Sequence, residues 1–310
     1  MCGILAFVPS PAAPPPVAPR PGAPAPALLA VLAIVSVQFG NAIAGSFFEQ
    51  VGPLGAAALR LVLAAVILLI VIRPRVRDWP RRTWLWVGML GLALAGMNVL
   101  IYQAIASIPI GVAVTIELLG PLAVAVSGTR RWRDLAWVAL AAAGVVALGL
   151  DEQGALEPYG VVAAVGAAVF WALYIIASAR LGPRVRGVDA IAVSMVAAAV
   201  MVVPIGASPA LQAVVIDPML LVTFSGIAVM TSALPYALEF LALKRMPTRV
   251  FGVISSLGPA VAALAGLVVL GQALGVLQLV AITAVVSACA GAVWTARPAA
   301  AIRPVGPPPG

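Results

Sequence analysis

The chain has 310 residues, of which 63% are hydrophobic and 9% charged, with a mean hydropathy of +1.14 and a formal net charge of +8. So few polar residues cannot coat a water-soluble globule, which excludes a soluble enzyme or binding domain. The basic residues fall in short scattered groups and not in one continuous patch, which excludes a nucleic-acid interface.

Ten apolar runs follow one another, at about 27–46, 54–72, 84–104, 110–127, 133–150, 159–180, 187–205, 218–243, 249–270 and 273–295. Their lengths suit helices crossing a hydrocarbon core of about 30 Å. The expected fold is therefore an all-α membrane protein with ten transmembrane helices. Residues 1–26 and 298–310 are rich in Pro and Ala and are expected to be disordered tails, because they cannot bury enough surface to offset the entropy of ordering. The opening MCGILAF resembles the start of glutamine amidotransferases with an N-terminal Cys nucleophile. Proline-rich coil follows it at once, where that chemistry needs a whole sandwich domain. The other cysteine, Cys289, lies inside the tenth run and reads as a small packing residue. With no His and two distant Cys, neither a metal centre nor a disulfide framework nor any cofactor is expected.

The connections carry the orientation signal. Arg20 precedes the first run, and Arg73, Arg75, Arg77, Arg81 and Arg82 lie between the second and third. Arg130, Arg131 and Arg133, then Arg180, Arg184 and Arg186, then Lys244, Arg245 and Arg249 continue the series, which Arg297 and Arg303 close. The alternate connections hold only Glu49, Asp151, Glu152, Glu157 and Asp217. Short loops rich in Lys and Arg stay in the cytoplasm, so both termini are expected there, in a multi-pass protein of the cytoplasmic membrane.

One unit occurs twice. Pro109, Gly120 and Pro121 are repeated as Pro247, Gly258 and Pro259, 138 positions later (Pro121 to Pro259). The residues before the first copy, Ala106, Ser107 and Ile108, are uncharged, whereas Lys244 and Arg245 precede the second. The two copies are thus expected to cross the membrane in opposite directions. This divides the chain into two inverted five-helix repeats, 27–150 and 159–295, with a substrate site between them near the midplane.

Candidate site residues follow from polarity inside the spans. Proline has no N–H, so Pro121 and Pro259 release the carbonyls of Glu117 and Ser255 from helical bonding, and Gly120 and Gly258 permit close approach. Glu117 is a carboxylate at bilayer depth, where charge costs a few kcal/mol or more and is kept for function or pairing. Arg60 is the cation buried in a span, expected to pair with Glu117 or contact substrate, against the simpler reading that it snorkels to the outer interface. Gln38 and Asn41 share a face with Gly45 in span one, Asn98 and Tyr102 one with Gly91 in span three, and Trp171 and Tyr174 one with Ser178 in span six. Tyr236 beside Pro235 and Ser255 complete the set. Such a cavity suits a small amphiphilic metabolite, and ordinary helix-to-helix hydrogen bonding accounts for each residue taken singly.

The stretch 108–126, IPIGVAVTIELLGPLAVAV, and its echo at 247–266 resemble the EamA repeats of the drug/metabolite transporter superfamily. The first copy, with the residues 128–131 that follow, is most similar to the threonine and homoserine exporters of that family. The resemblance implies ten helices in two inverted repeats and export of small amino acids or related metabolites, driven by the proton gradient, by a monomer or homodimer. Drug or other metabolite export is the alternative within the superfamily. A membrane-embedded enzyme acting on lipid-linked substrates is the alternative outside it. EamA repeats often end span nine with Gly-Glu; here Gln272 follows Gly271, an amide that bonds but cannot titrate. A reporter fused within 151–157 should read as extracytoplasmic and one placed after Arg297 as cytoplasmic. Activity of both fusions on one side would make the span count wrong by an odd number.

Overall fold

The computed structural model describes residues 26–127, 132–149, 156–181, 185, 187–243 and 248–295. The tails, the acidic residues Asp151 and Glu152, and the basic connections at 128–131, 182–184, 186 and 244–247 lie outside the described residues, as does the side chain of Tyr236. Among the described residues every regular element is helical. In chain order these are α1 (Pro26–Gly45), α2 (Phe48–Ile72), α3 (Arg81–Ser107), α4 (Ile110–Glu117), α5 (Leu119–Ser127), α6 (Trp132–Gly149) and α7 (Pro158–Leu181). There follow α8 (Gly187–Ile216), α9 (Met219–Ala228), a π-helical turn (Val229–Ala233), α10 (Leu234–Leu243), α11 (Thr248–Ser255), α12 (Gly258–Leu270) and α13 (Val276–Thr295). Among the described residues seven helices are long and apolar enough to cross a membrane, and Ile110–Val124, Ala136–Val145 and Met219–Ala233 are shorter apolar helices. Counting α4 with α5, α9 with α10, and α11 with α12 as single broken spans gives ten.

The breaks have local causes. The fourth span is interrupted at Leu118 and the ninth at Ser256 and Leu257, so α4 ends at Glu117 and α11 at Ser255, the two residues facing the missing proline donors. The eighth span absorbs Pro235 differently. Its π turn places the Leu234 N–H on the carbonyl of Val229, widening the helix just before the proline. Ser36 of α1 donates to the Met230 carbonyl exposed by that turn, at 2.6 Å.

Several boundaries differ from those read in the sequence; α3, for instance, runs three residues further at each end than 84–104. The second span begins at Phe48, not 54: a first turn covers Phe48–Val51, the non-helical Gly52 (φ 69°, ψ 156°, a conformation that favours glycine) makes a kink, and the helix resumes at Pro53. The seventh continues through Pro204 and Pro209 to Ile216 and does not stop at 205. Ending it there would leave more backbone groups unbonded at membrane depth than the two donors the prolines remove. The tenth starts at Val276 because Gly271, also left-handed (φ 65°), stops α12 and an irregular segment follows.

Helix α2 packs along α8, α3 along α7, and α6 along α13. Helix α1 lies against α10 and α12, while α4 lies against α12 and α7. Alanine dominates the buried residues, as expected where helices associate in lipid through close van der Waals packing. Large aliphatics such as Val71, Val162, Val215, Ile216 and Val276 are exposed at 69–85% on the outer surface, the face that meets lipid. Two contacts set how tightly the fourth span is held. A side chain at Gly111 would come within 2.9 Å of the Ala263 backbone in α12, and one at Gly120 would run into the Ala168 carbonyl of α7. Gly120→Ala should therefore destabilise the protein by about 1–3 kcal/mol. Gly88→Ala, where nothing lies within 4 Å, should be neutral or stabilising by up to about 1 kcal/mol. Thermal unfolding in detergent separates the two.

Candidate substrate site

Arg60 is 6% exposed, held inside the bundle on α2 with its guanidinium directed toward α1 and α3. Its Nη1 donates to Asn41 Oδ1 at 3.0 Å. The amide of Asn41 donates in turn to Gln38 Oε1 at 3.4 Å, and Gln38 Nε2 donates to the carbonyl of Gly258 at 3.3 Å. This chain of hydrogen bonds starts at a charge in span two, crosses span one, and ends on the backbone at the break in span nine. A neutral amide pair spreads the guanidinium's demand for acceptors without adding a second charge, which keeps a cation tolerable at this depth.

On its other side the guanidinium carbon lies 5.3 Å from the ring centre of Tyr102, a cation–π distance. Tyr102 is fully buried on α3 and tilts against Phe48 with ring centres 5.3 Å apart. Its hydroxyl lies near the Arg60 guanidinium but outside hydrogen-bond geometry, so Tyr102 Oη and Arg60 Nε are both buried polar atoms without a partner. Glu117, 7% exposed at the C-terminal end of α4, is close enough for the Arg60 charge to act on it. No ion pair joins the two groups within 4.0 Å.

The structure thus gathers Gln38, Asn41, Arg60 and Tyr102, with Glu117 nearby and Gly258 at the end of the chain. Other candidates are bonded locally. Asn98 donates to Leu94 O of its own helix at 2.7 Å, and Ser255 Oγ to Phe251 O at 2.9 Å. Trp171 packs on the cluster of Leu118 and Leu122 beside the break in span four, whereas Tyr174 packs on the main core. Pro259 is buried and Pro121 half-buried at their respective breaks.

Two contributors carried little sequence signal. Phe48 backs Tyr102 because α2 starts earlier than its apolar window suggests. Gln272 serves as a cap across spans: its Oε1 accepts from the backbone N–H of Ile110 at 3.0 Å, the first residue of α4. The left-handed Gly271 and the bond from Gln272 N–H to Gly266 O fix the turn that presents this amide. A glycine followed by an amide at a helix end was the available signal. Near it, Gly45, Phe48, Glu49, Pro53, Ile105 and Leu270 line with Gln272 an open cleft of about 420 Å³.

This chain resembles known proteins over most of its length. Residues 158–294 match the EamA-like transporter family. Over 273 residues it is 39% identical to the threonine/homoserine exporter RhtA of Salmonella typhimurium (strain LT2), covering 87% of this chain and 92% of that one. Over 282 residues it is 37% identical to the protein of the same name in Escherichia coli (strain K12), covering 89% and 94%. A solved crystal structure 23% identical in sequence superposes with a TM-score of 0.57 over 87% of this chain and 97% of that one, a likeness of fold. A multi-pass helical bundle, a polar chain running to a helix break and this level of identity agree: the chain belongs to the EamA-like transporter family.

Proposed function

We propose that this protein exports threonine, homoserine and related small amino acids across the cytoplasmic membrane by alternating access, with proton entry as the driving reaction. The observation that carries the substrate class is the 39% identity to a threonine/homoserine exporter over 92% of its length. Membership of a transporter family sets aside the enzyme reading.

The packing supports two repeats, 27–150 and 159–295, inverted with respect to each other. Numbering the spans one to ten, the pairs two with seven, four with nine and five with ten each map onto themselves when every span is exchanged for the one five positions away. The pair three with six maps onto eight with one, and both are in contact. The helix breaks at Glu117 and Ser255 exchange in the same way. Broken helices at matching positions of two repeats mark the binding region of a secondary transporter. The charge distribution supports cytoplasmic termini.

Glu117 is the group we assign to coupling. A carboxylate beside a helix break can be reached by a proton from one side and by substrate from the other, and competition between them ties export to proton entry. Cells lacking their own amino-acid exporters should gain threonine and homoserine tolerance and lower internal pools when they express this protein. Unchanged pools for both would remove the substrate assignment. Acidifying the outside should speed wild-type efflux. Glu117→Gln should insert normally, lose that acceleration and retain gradient-driven exchange; a wild-type pH response in this variant would take the coupling role from Glu117. Pro121→Ala and Pro259→Ala should each lower transport more than they lower expression, because they restore a helical bond at the break.

A further inference from the structure

We infer that Arg60 and Glu117 form a two-pole clamp for a zwitterion, with the substrate's α-carboxylate on Arg60 and Tyr102 and its α-ammonium on Glu117 and the Glu117 carbonyl that Pro121 leaves free. This rests on the proposed amino-acid export and specifies how that site recognises its substrate.

The positive pole has a defined geometry. Asn41 occupies Nη1 of the Arg60 guanidinium. That leaves the edge formed by Nε and Nη2, whose two parallel N–H groups match the two oxygens of a carboxylate. Nε on this edge is buried without a partner, and so is the hydroxyl of Tyr102 beside it. Tyr102 is 0% exposed and Arg60 6%, so both donors are withheld from water. A buried donor left unsatisfied costs free energy that a ligand's acceptor restores.

The negative pole is built differently. Glu117 is the last residue of α4, at the point where the fourth span is interrupted before α5. Pro121 has no N–H to give the Glu117 carbonyl, which adds a second oxygen acceptor at the same residue. A carboxylate with a free carbonyl at the same residue is well placed to receive an ammonium, which has three donors and no acceptor.

The two poles sense each other without touching: the Arg60 charge acts on Glu117, and no ion pair joins them. Two opposite charges buried together but unpaired are costly for a protein to maintain. A molecule that carries a carboxylate and an ammonium on the same carbon completes both at once. A simple amine or a simple acid completes one and leaves the other exposed to the low-dielectric interior.

The test is counterflow of radiolabelled threonine in proteoliposomes of the purified full chain, with unlabelled competitors. The panel holds the common amino acids, threonine amide (no carboxylate), 2,3-dihydroxybutyrate (a hydroxyl in place of the ammonium) and the matching amide and 2-hydroxy acid of any amino acid that competes better. Wild-type protein should prefer the amino acid over both analogues by on the order of 100-fold, as sites built to bond a polar group reject analogues lacking it. In Arg60→Gln the preference over the amide should fall to near one while that over the hydroxy acid persists. Glu117→Gln should show the reverse, and Arg60→Lys should keep the charge preference at lower affinity because it lacks the fork. Equal competition by amino acid and analogues in wild type overturns the clamp, and that measurement needs no variant to fold. Variants that elute as single species yet weaken all competitors equally also overturn it, since a purely structural role for the two charges predicts that pattern. Strong selectivity for a zwitterion other than threonine or homoserine supports the clamp while refuting the substrate assignment, and counterflow of no amino acid refutes both.

Discussion

A guanidinium inside a bundle of apolar helices is the constraint around which the polar interior is arranged. Water cannot solvate Arg60 here, so acceptors and a ring face must come from the protein. Asn41, Gln38 and the Gly258 carbonyl supply the first in series, and the Tyr102 ring supplies the second. The consequence reaches beyond the site. Span one must present two amides on one face, span three must place an aromatic opposite, and span nine must break where its carbonyl can be reached. Those demands account for the polar stripe Gln38–Asn41 and for the close approach of α1 to α12. Elsewhere the bundle is held by small side chains and a lipid-facing aliphatic surface, a design that tolerates variation.

The two Gly-Pro breaks solve a second problem. Non-helical backbone at membrane depth survives only where protein or a cavity covers it. At the first break Gly120 lies directly against the Ala168 carbonyl, and at the second Gln38 reaches the Gly258 carbonyl. One break is thus sealed by close backbone packing and the other by a side-chain amide that itself leads to Arg60. The two halves share a plan in sequence but are finished differently, so that the charged residues Arg60 and Glu117 both belong to the first half.

What could be read from the chain divides along physical lines. Helix number, the position of the breaks and the buried status of Arg60 and Glu117 depend on hydropathy and on proline's missing N–H, which are properties of the local sequence. The link from Gln38 to Gly258 depends on which helices are neighbours, a relation across 220 residues that no local pattern encodes. The start of α2 was hidden because Glu49, Gln50 and Pro53 look like a loop, and the first turn at Phe48–Val51 is set off from the rest of the helix by a kink at the non-helical Gly52. The length of α8 was hidden because Pro204 and Pro209 signal a stop in water but not in lipid. The π turn at Val229–Ala233 has no signature beyond the proline it precedes. Asn98 and Ser255 were good candidates by type, and their hydrogen bonds stay within their own helices.

The cap that Gln272 places on Ile110 has a consequence for how that end of the bundle behaves. It ties the last turn of span nine to the first turn of span four through a neutral amide. A carboxylate in that place would strengthen or weaken with the acidity of the medium it faces. An amide does not titrate, so this joint is indifferent to the acidity of whatever medium it faces. The tie between the two spans therefore depends on the protein's own geometry and not on a protonation state.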